Sequence, residues 1–497
     1  MPLTPGTWSS EMSASPMRQL GAFPWSPNKP QADAWGYGPA LSVLAFMLLA
    51  TTLAAQPAPD TVISARHVVT MDAQRRVLTD GAIAVSNGAI VAVGPAAELL
   101  KKYPQAGRVN AGDSILMPGL INAHTHAAMS LFRGVADDLP LNDWLTKFIF
   151  PAEAKNVTAE FVRWGTKLAC LEMLLGGVTS FVDMYYFEDV VAEETKKAGM
   201  RGVLGETVIR FPVADHKTPE AALAWIEKFI QRYKGDPLIT PAVAPHALYT
   251  NSDATLQAAR ALANKYQVPF LIHLSETRKE NADIGAERKM SPTRVLSSIG
   301  AFNGWTIAAH SIWMDDADLD LIAQHRCGVA HCPSSNMKLA SGIAPVLKMF
   351  ARGIPVGLGT DGPAGSNNDF SLLEEADLAS KLAKVTSMDP TSLPAEKAVA
   401  MATIEGARAA GLDKKVGSLE PGKRADLITL RLDQPHAMPM FNVYSQIVNV
   451  LKGSDVSDVM VEGRWLVRNR KPLTLDPVSI RAKAIEYQQQ IKKSLGN

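Results

Sequence analysis

Leu120-Ile-Asn-Ala-His124-Thr125-His126 is a short apolar strand candidate that runs out into two histidines. Side chains alternate along a strand with period two, so His124 and His126 project to the same side. Two imidazoles placed in this way make a clamp for zinc or iron. Seven more apolar runs of the same texture follow, at 179–183, 202–206, 239–244, 270–273, 306–310, 328–331 and 355–361. Helical stretches such as 220–233 and 254–266 lie between them. Eight strand candidates alternating with helices predict an α/β fold, a (β/α)8 barrel of the TIM type, over residues 118–412.

Chemistry in such barrels sits at the C-terminal ends of the strands, so the residue found there is informative. The fifth run ends in His273, followed by Leu274, Ser275 and Glu276. The sixth ends in His310, the seventh in His331 and the eighth in Asp361. A lone histidine is more often a satisfied core or surface residue. Histidines at several strand ends of one barrel, with an aspartate, are a different matter. Three imidazoles and a carboxylate form an O/N ligand set suited to zinc or ferrous iron.

Outside the barrel the texture changes. Residues 60–117 alternate short β-rich pieces with turns, including Asn87-Gly88 between apolar runs, a strong hairpin signal. β-rich pieces return over 413–475, and together the two stretches predict a small β-sandwich domain built from both chain ends. Residues 476–497 read as a C-terminal helix. Residues 1–59 read as a leader. Its apolar run at 40–55 resembles a signal-peptide core ending in small residues, and is too short for a transmembrane helix. The long stretch before that run, with no Lys or Arg between Lys29 and it, argues against a simple signal. Export and a misassigned start, hence a cytoplasmic protein, both stay open.

The 497 residues suffice for a large catalytic domain and a smaller companion. With 50 Lys and Arg against 49 Asp and Glu, the chain carries no electrostatic footprint for nucleic acid or an anionic membrane. A small-molecule substrate fits better. Cys170, Cys327 and Cys332 form no CxxC pair and no even framework, which excludes a thiolate metal site and a disulfide scaffold. Any metal must be held by histidine and carboxylate.

Met117-Pro-Gly-Leu-Ile-Asn-Ala-His-Thr-His126 resembles the opening motif of the amidohydrolase superfamily. So do His310 after Ile-Ala-Ala, Gly359-Thr-Asp361-Gly, and Gly417-Ser-Leu-Glu-Pro-Gly-Lys-Arg-Ala-Asp-Leu427. Within that superfamily the chain looks most like the 5-methylthioadenosine/S-adenosylhomocysteine deaminases, over about residues 60–474. The resemblance implies His124, His126, His273 and Asp361 as ligands of one divalent metal, zinc or ferrous iron. It implies Glu276 as proton shuttle and His310 as the residue orienting an attacking hydroxide, with Asp361 also catalytic. Substrate contacts are implied for Glu153, His246, Glu276 and Asp361, with Glu153 on the ribose hydroxyls. Binuclear relatives carry a lysine at the end of strand four. Here that place reads Val243-Ala-Pro-His246, which implies one metal.

The implied reaction is hydrolytic deamination of an adenine nucleoside (5-methylthioadenosine, S-adenosylhomocysteine or adenosine) to the 6-oxo purine and ammonia. A guanine, pterin or triazine hydrolase on the same metal site is the nearest alternative, and a non-catalytic barrel binding protein a remote one. Arg210 and His331 have no settled role at this point, Trp144 reads as core, and a homo-oligomer is possible among relatives of this kind.

Overall fold

Parallel strands covered on both faces need apolar side chains throughout, and the barrel strands show that composition. In the computed structural model, which describes residues 59–496, Val178–Tyr185 and Arg201–Val208 are buried at every position. The eight barrel strands are Leu120–Thr125, Val178–Tyr185, Arg201–Val208, Ile239–Pro245, Phe270–Leu274, Thr306–His310, Cys327–His331 and Val356–Leu358. They pair in chain order, and an isolated parallel bridge between Thr125 and Asp361 brings the last to the first. The expected α/β barrel is the observed one.

Inside the barrel, Ile121, Val182, Val203, Ala242, Leu271 and Ile307 form one apolar cluster. Ala407, Ala410 and Leu412 belong to the same cluster, so the segment after helix Ile404–Ala409 seals the N-terminal end. The Ile121 N–H donates to the Ala402 carbonyl at 2.9 Å on that side.

The eighth strand is shorter than the apolar run at 355–361. It stops at Leu358, and after Gly359, whose N–H donates to the His331 carbonyl of strand seven, the next two residues turn to strand one. Thr360 N–H donates to Asn122 Oδ1 at 3.0 Å, and Asp361 N–H to the His124 carbonyl at 3.0 Å. A Cβ on Gly359 would lie 2.9 Å from His124 Cβ, so only glycine lets the two strand ends approach this closely.

Both chain ends join in a single nine-stranded sheet. Ser114–Pro118, just before the barrel, pairs antiparallel with Leu427–Arg431, just after it. The sheet curls so that Ile63, Ile90, Leu427 and Met460 share one core. Asn87 and Gly88 both have positive φ, 49° and 75°, the backbone that a tight two-residue hairpin requires. Arg201, 1 % exposed at the start of barrel strand three, ties this sheet to the barrel. It donates to Asp426 Oδ2 at 3.0 and 3.1 Å, to the Pro237 carbonyl at 2.6 Å, and to Glu462. The C-terminal helix, Pro477–Leu495, sets Tyr487 edge-on against Phe161 of helix Ala159–Leu175.

The leader and its apolar run at 40–55 lie outside the described residues. Among the described residues no helix is long and apolar enough to cross a membrane.

Candidate active site

Four side chains from three places in the barrel meet at its C-terminal face. One ligand atom each from His124, His126, His273 and Asp361 lie within 4.8 Å of one another. Asp361 Oδ1 is 3.3 Å from His124 Nε2 and 3.2 Å from His126 Nε2, and the Nε2 atoms of His126 and His273 are 3.4 Å apart. His124 Nε2 is buried with no hydrogen-bond partner. The opposite ring nitrogens are held by backbone carbonyls: His126 Nδ1 by Met184 at 2.6 Å, His273 Nδ1 by His246 at 2.8 Å. An Nδ1–H given to a carbonyl leaves Nε2 as a lone pair, the tautomer a metal ligand needs.

Burial and Asp361 pull the two histidines of strand one in opposite directions. Burial drives His124 down to about 4. Burial also works against His126, yet the facing Asp361 carboxylate raises it to about 9. A divalent cation would satisfy all four ligand atoms at once. The three-imidazole, one-carboxylate set therefore fits such an ion.

Around this cluster, Ser275, His310 and Asp361 each have positive φ, 48°, 66° and 63°. Non-glycine residues seldom adopt that backbone, and here it turns the chain sharply at the strand ends. Glu276 and His310 face each other, with Oε2 and Nε2 3.9 Å apart, and both are buried. Burial raises the Glu276 carboxyl above its ordinary range.

Glu153 lies in the same pocket, 6 % exposed. It accepts from Tyr185 Oη at 2.8 Å and from Tyr186 Oη at 3.4 Å, and burial pushes it up to about 7. His246 packs its ring 4.7 Å from that of His273, bonds Thr250 Oγ1 through Nδ1, and is pushed by burial down to about 3. All the residues singled out in the sequence for metal, catalysis or substrate are thus drawn to one face.

Arg210 is exposed, its N–H bonded to the Thr250 carbonyl, and it does not line this pocket. His331 is buried beside a separate cavity with Ile343 and Val346. Trp144 is buried as core yet also lines the pocket, and its Nε1–H donates to the Ala364 carbonyl at 3.0 Å.

Three supporting residues escaped the sequence reading. Ser335 Oγ donates to Asp361 Oδ2 at 2.6 Å, and Asn336 Oδ1 holds His310 Nδ1 at 3.0 Å. Both come from the short helix Pro333–Lys338, inside the His331-Cys-Pro-Ser-Ser-Asn336 motif. Glu280 accepts the Ser275 and Glu276 N–H groups at 3.2 and 2.8 Å and so shapes the turn carrying Glu276. The spacing Glu276-x-x-x-Glu280 after a strand-end histidine was the available signal.

Comparison with known proteins agrees with this geometry. The amidohydrolase family profile matches residues 115–466, and a bacterial imidazolonepropionase-like composite domain matches residues 81–106. A 5-methylthioadenosine/S-adenosylhomocysteine deaminase from Thermodesulfovibrio yellowstonii is 46% identical over 435 residues, 87% of this chain and 99% of that protein. One from Syntrophus aciditrophicus is 43% identical, covering 88% and 98%. Among solved structures, a zinc-bound adenosine deaminase from Xanthomonas campestris superposes with a TM-score of 0.86 at 39% identity, covering 88% of this chain and 99% of that one. A triazine chlorohydrolase from Arthrobacter aurescens, at 23% identity and TM-score 0.79, shares the fold. The chain belongs to the amidohydrolase family, and within it resembles the 5-methylthioadenosine/S-adenosylhomocysteine deaminases.

Proposed function

We propose that this enzyme deaminates adenine nucleosides, 5′-substituted ones among them, to the 6-oxo purine and ammonia, using one zinc ion held by His124, His126, His273 and Asp361. The observation that carries the nucleoside reading is Glu153, buried and steadied by two tyrosine hydroxyls in the pocket that also holds Glu276 and Asp361. A carboxylate there can accept from both hydroxyls of a ribose, which a bare ring does not offer. Leu141, Leu145 and Tyr249 are shared with an adjoining cavity of about 460 Å3 whose walls include Arg278 and Asp283. That space suits a 5′ substituent carrying charge.

A divalent ion bound by this set supplies a water nucleophile at neutral pH by lowering its pKa to about 7. The protein's side chains do the rest. With Nδ1–H given to Asn336, His310 presents its Nε2 lone pair to accept a hydrogen bond from the attacking water. Ser335 occupies Asp361 Oδ2, leaving Oδ1 toward the histidines to take the water's proton. Glu276, whose carboxyl burial raises above its ordinary range, delivers a proton to N1 of the adenine, which makes C6 electrophilic. The hydroxide oxygen then bonds to C6. Asp361 passes the proton it took from water to the exocyclic amine, the new C6 hydroxyl returns its proton to Glu276, and the C6–N bond breaks to leave the N1–H lactam and ammonia.

The test is turnover by zinc-loaded protein on methylthioadenosine, S-adenosylhomocysteine, adenosine and guanine, followed by loss of adenine absorbance and by ammonia release. Glu276→Gln is expected to lower kcat by about 10²–10⁴, and Glu153→Ala to raise KM for the nucleosides. Activity on guanine alone would overturn the nucleoside reading and leave the barrel and the ligand cluster standing.

A further inference from the structure

A second convergence of ligand atoms lies in strand three and the loop after it. Glu206 stands near the end of that strand, and Asp215 and His216 follow in the loop. One ligand atom from each lie within 4.8 Å of one another. Each of the two carboxylates spends one oxygen on backbone and keeps the other free. Glu206 Oε2 accepts the Glu188 N–H at 2.9 Å, and Asp215 Oδ2 accepts the Phe187 N–H at 2.7 Å. Glu206 Oε1, Asp215 Oδ1 and His216 Nε2 are all buried with no hydrogen-bond partner. Glu206 is 0 % exposed, and its Oε1 sits 3.7 Å from His216 Nε2, too far for a hydrogen bond.

The surroundings sharpen the point. Glu188 and Asp183, both fully buried, stand beside this group, and neither Glu188 oxygen has a donor. Among the described residues no lysine or arginine is ion-paired with Asp183, Glu188, Glu206 or Asp215. Buried carboxylates without a counter-charge are costly, so such a group is relieved either by holding protons or by taking in a cation. Zinc ligands at about 2.1 Å from a tetrahedral ion lie roughly 3.4 Å apart, and Glu206 Oε1 and His216 Nε2, at 3.7 Å, stand close to that spacing.

We propose that Glu206, Asp215 and His216 form a second, non-catalytic site for a divalent cation, zinc or manganese. Two carboxylates and an imidazole are the donor set such ions take. The site fastens the loop 209–217 against the pocket wall. Phe211 of that loop meets Phe150 edge-on with ring centroids 5.5 Å apart, and Phe150 lines the substrate pocket. The proposal stands on this cluster alone and does not depend on which substrate the enzyme takes.

The experiment is metal counting on the full-length protein, stripped with a chelator and dialysed against Zn2+ or Mn2+. Wild type is expected to hold two equivalents. His216→Ala and Asp215→Asn are expected to hold one each and to keep turning over substrate with zinc in the first cluster. His273→Ala, which disrupts that first cluster, should retain one equivalent, and it isolates the second site even if the loop variants fail to fold. A second equivalent of Zn2+ should also raise Tm in wild type and not in His216→Ala. Wild type saturating at a single equivalent would overturn the proposal. So would a second equivalent that survives both loop substitutions.

Discussion

The two ends of the barrel solve opposite problems. At the C-terminal end, imidazoles and carboxyls are crowded together, Ser275, His310, Ser311 and Asp361 carry positive φ, and several buried polar atoms go without partners. At the N-terminal end the interior is closed by alanine and leucine, and a buried cation there, Arg201, has its carboxylates and a carbonyl close at hand. The unpartnered His124 Nε2 stands where a ligand can satisfy it, while Arg201 is fully engaged by protein groups. The difference teaches that in this fold stability and chemistry are separable by position along the strands.

That separation can be broken by experiment. Arg201→Ala should have the largest effect on stability, because it strands Asp426 in the interior. A loss of about 3–5 kcal/mol is expected by denaturant titration, with kcat per folded molecule unchanged. A fall in kcat comparable to the loss of stability would show that the two ends are coupled after all.

Next in size is the pH response of Glu153, whose carboxyl is raised from 4.5 to about 7 chiefly by burial. The unfolded chain releases this proton near its ordinary pKa while the folded chain still holds it. Stability contributed by this group therefore declines as pH rises from about 4.5 to about 7, and is level above. Glu153→Gln should remove up to about 3 kcal/mol of that decline, read as a smaller gap in unfolding free energy between acid and alkaline buffer. An unchanged gap would mean that Tyr185 and Tyr186 already hold the carboxylate ionised.

The smallest effect sharpens the comparison. Ser335→Ala removes the donor to Asp361 Oδ2 and leaves all four ligand atoms in place. Metal affinity is expected to fall about 10–100-fold, measured by competition with a chelator, while unfolding of the zinc-free protein stays close to wild type. A variant that destabilised the zinc-free protein instead would assign Ser335 to packing.

Much of this was legible in the sequence because two strict periodicities coincide. Strand side chains alternate, so His124 and His126 were bound to share a side, and the βα repeat sends every strand end to one face. Leu120–Thr125 and Thr306–His310 follow that logic with little deviation. The eighth strand does not, because the hydrogen bonds of Thr360 and Asp361 to strand one shorten it, and a run of apolar residues carries no sign of them. The entry to the pocket was equally hidden. Trp144–Ile149 winds as a π-helix between two short α-helical pieces, so its apolar residues recur at no period that helix or strand templates detect. Ser335 and Asn336 are adjacent in the sequence, yet their partners lie 26 residues away in each case, Asp361 forward and His310 back. Only the fold decides that pairing.

The pairing of Ser114–Pro118 with Leu427–Arg431 also has a meaning in time. About three hundred residues separate the two strands, so at roughly 5–20 residues per second the ribosome needs on the order of 15–60 s to deliver the second after the first. For that interval a nascent chain carries an apolar strand with its hydrogen-bonding edge open, the kind of edge other chains can add to. The last seventh of the polypeptide therefore works as a lock on the first strands, and a chain released early would leave the cell with a sticky half-sheet in place of a slower enzyme.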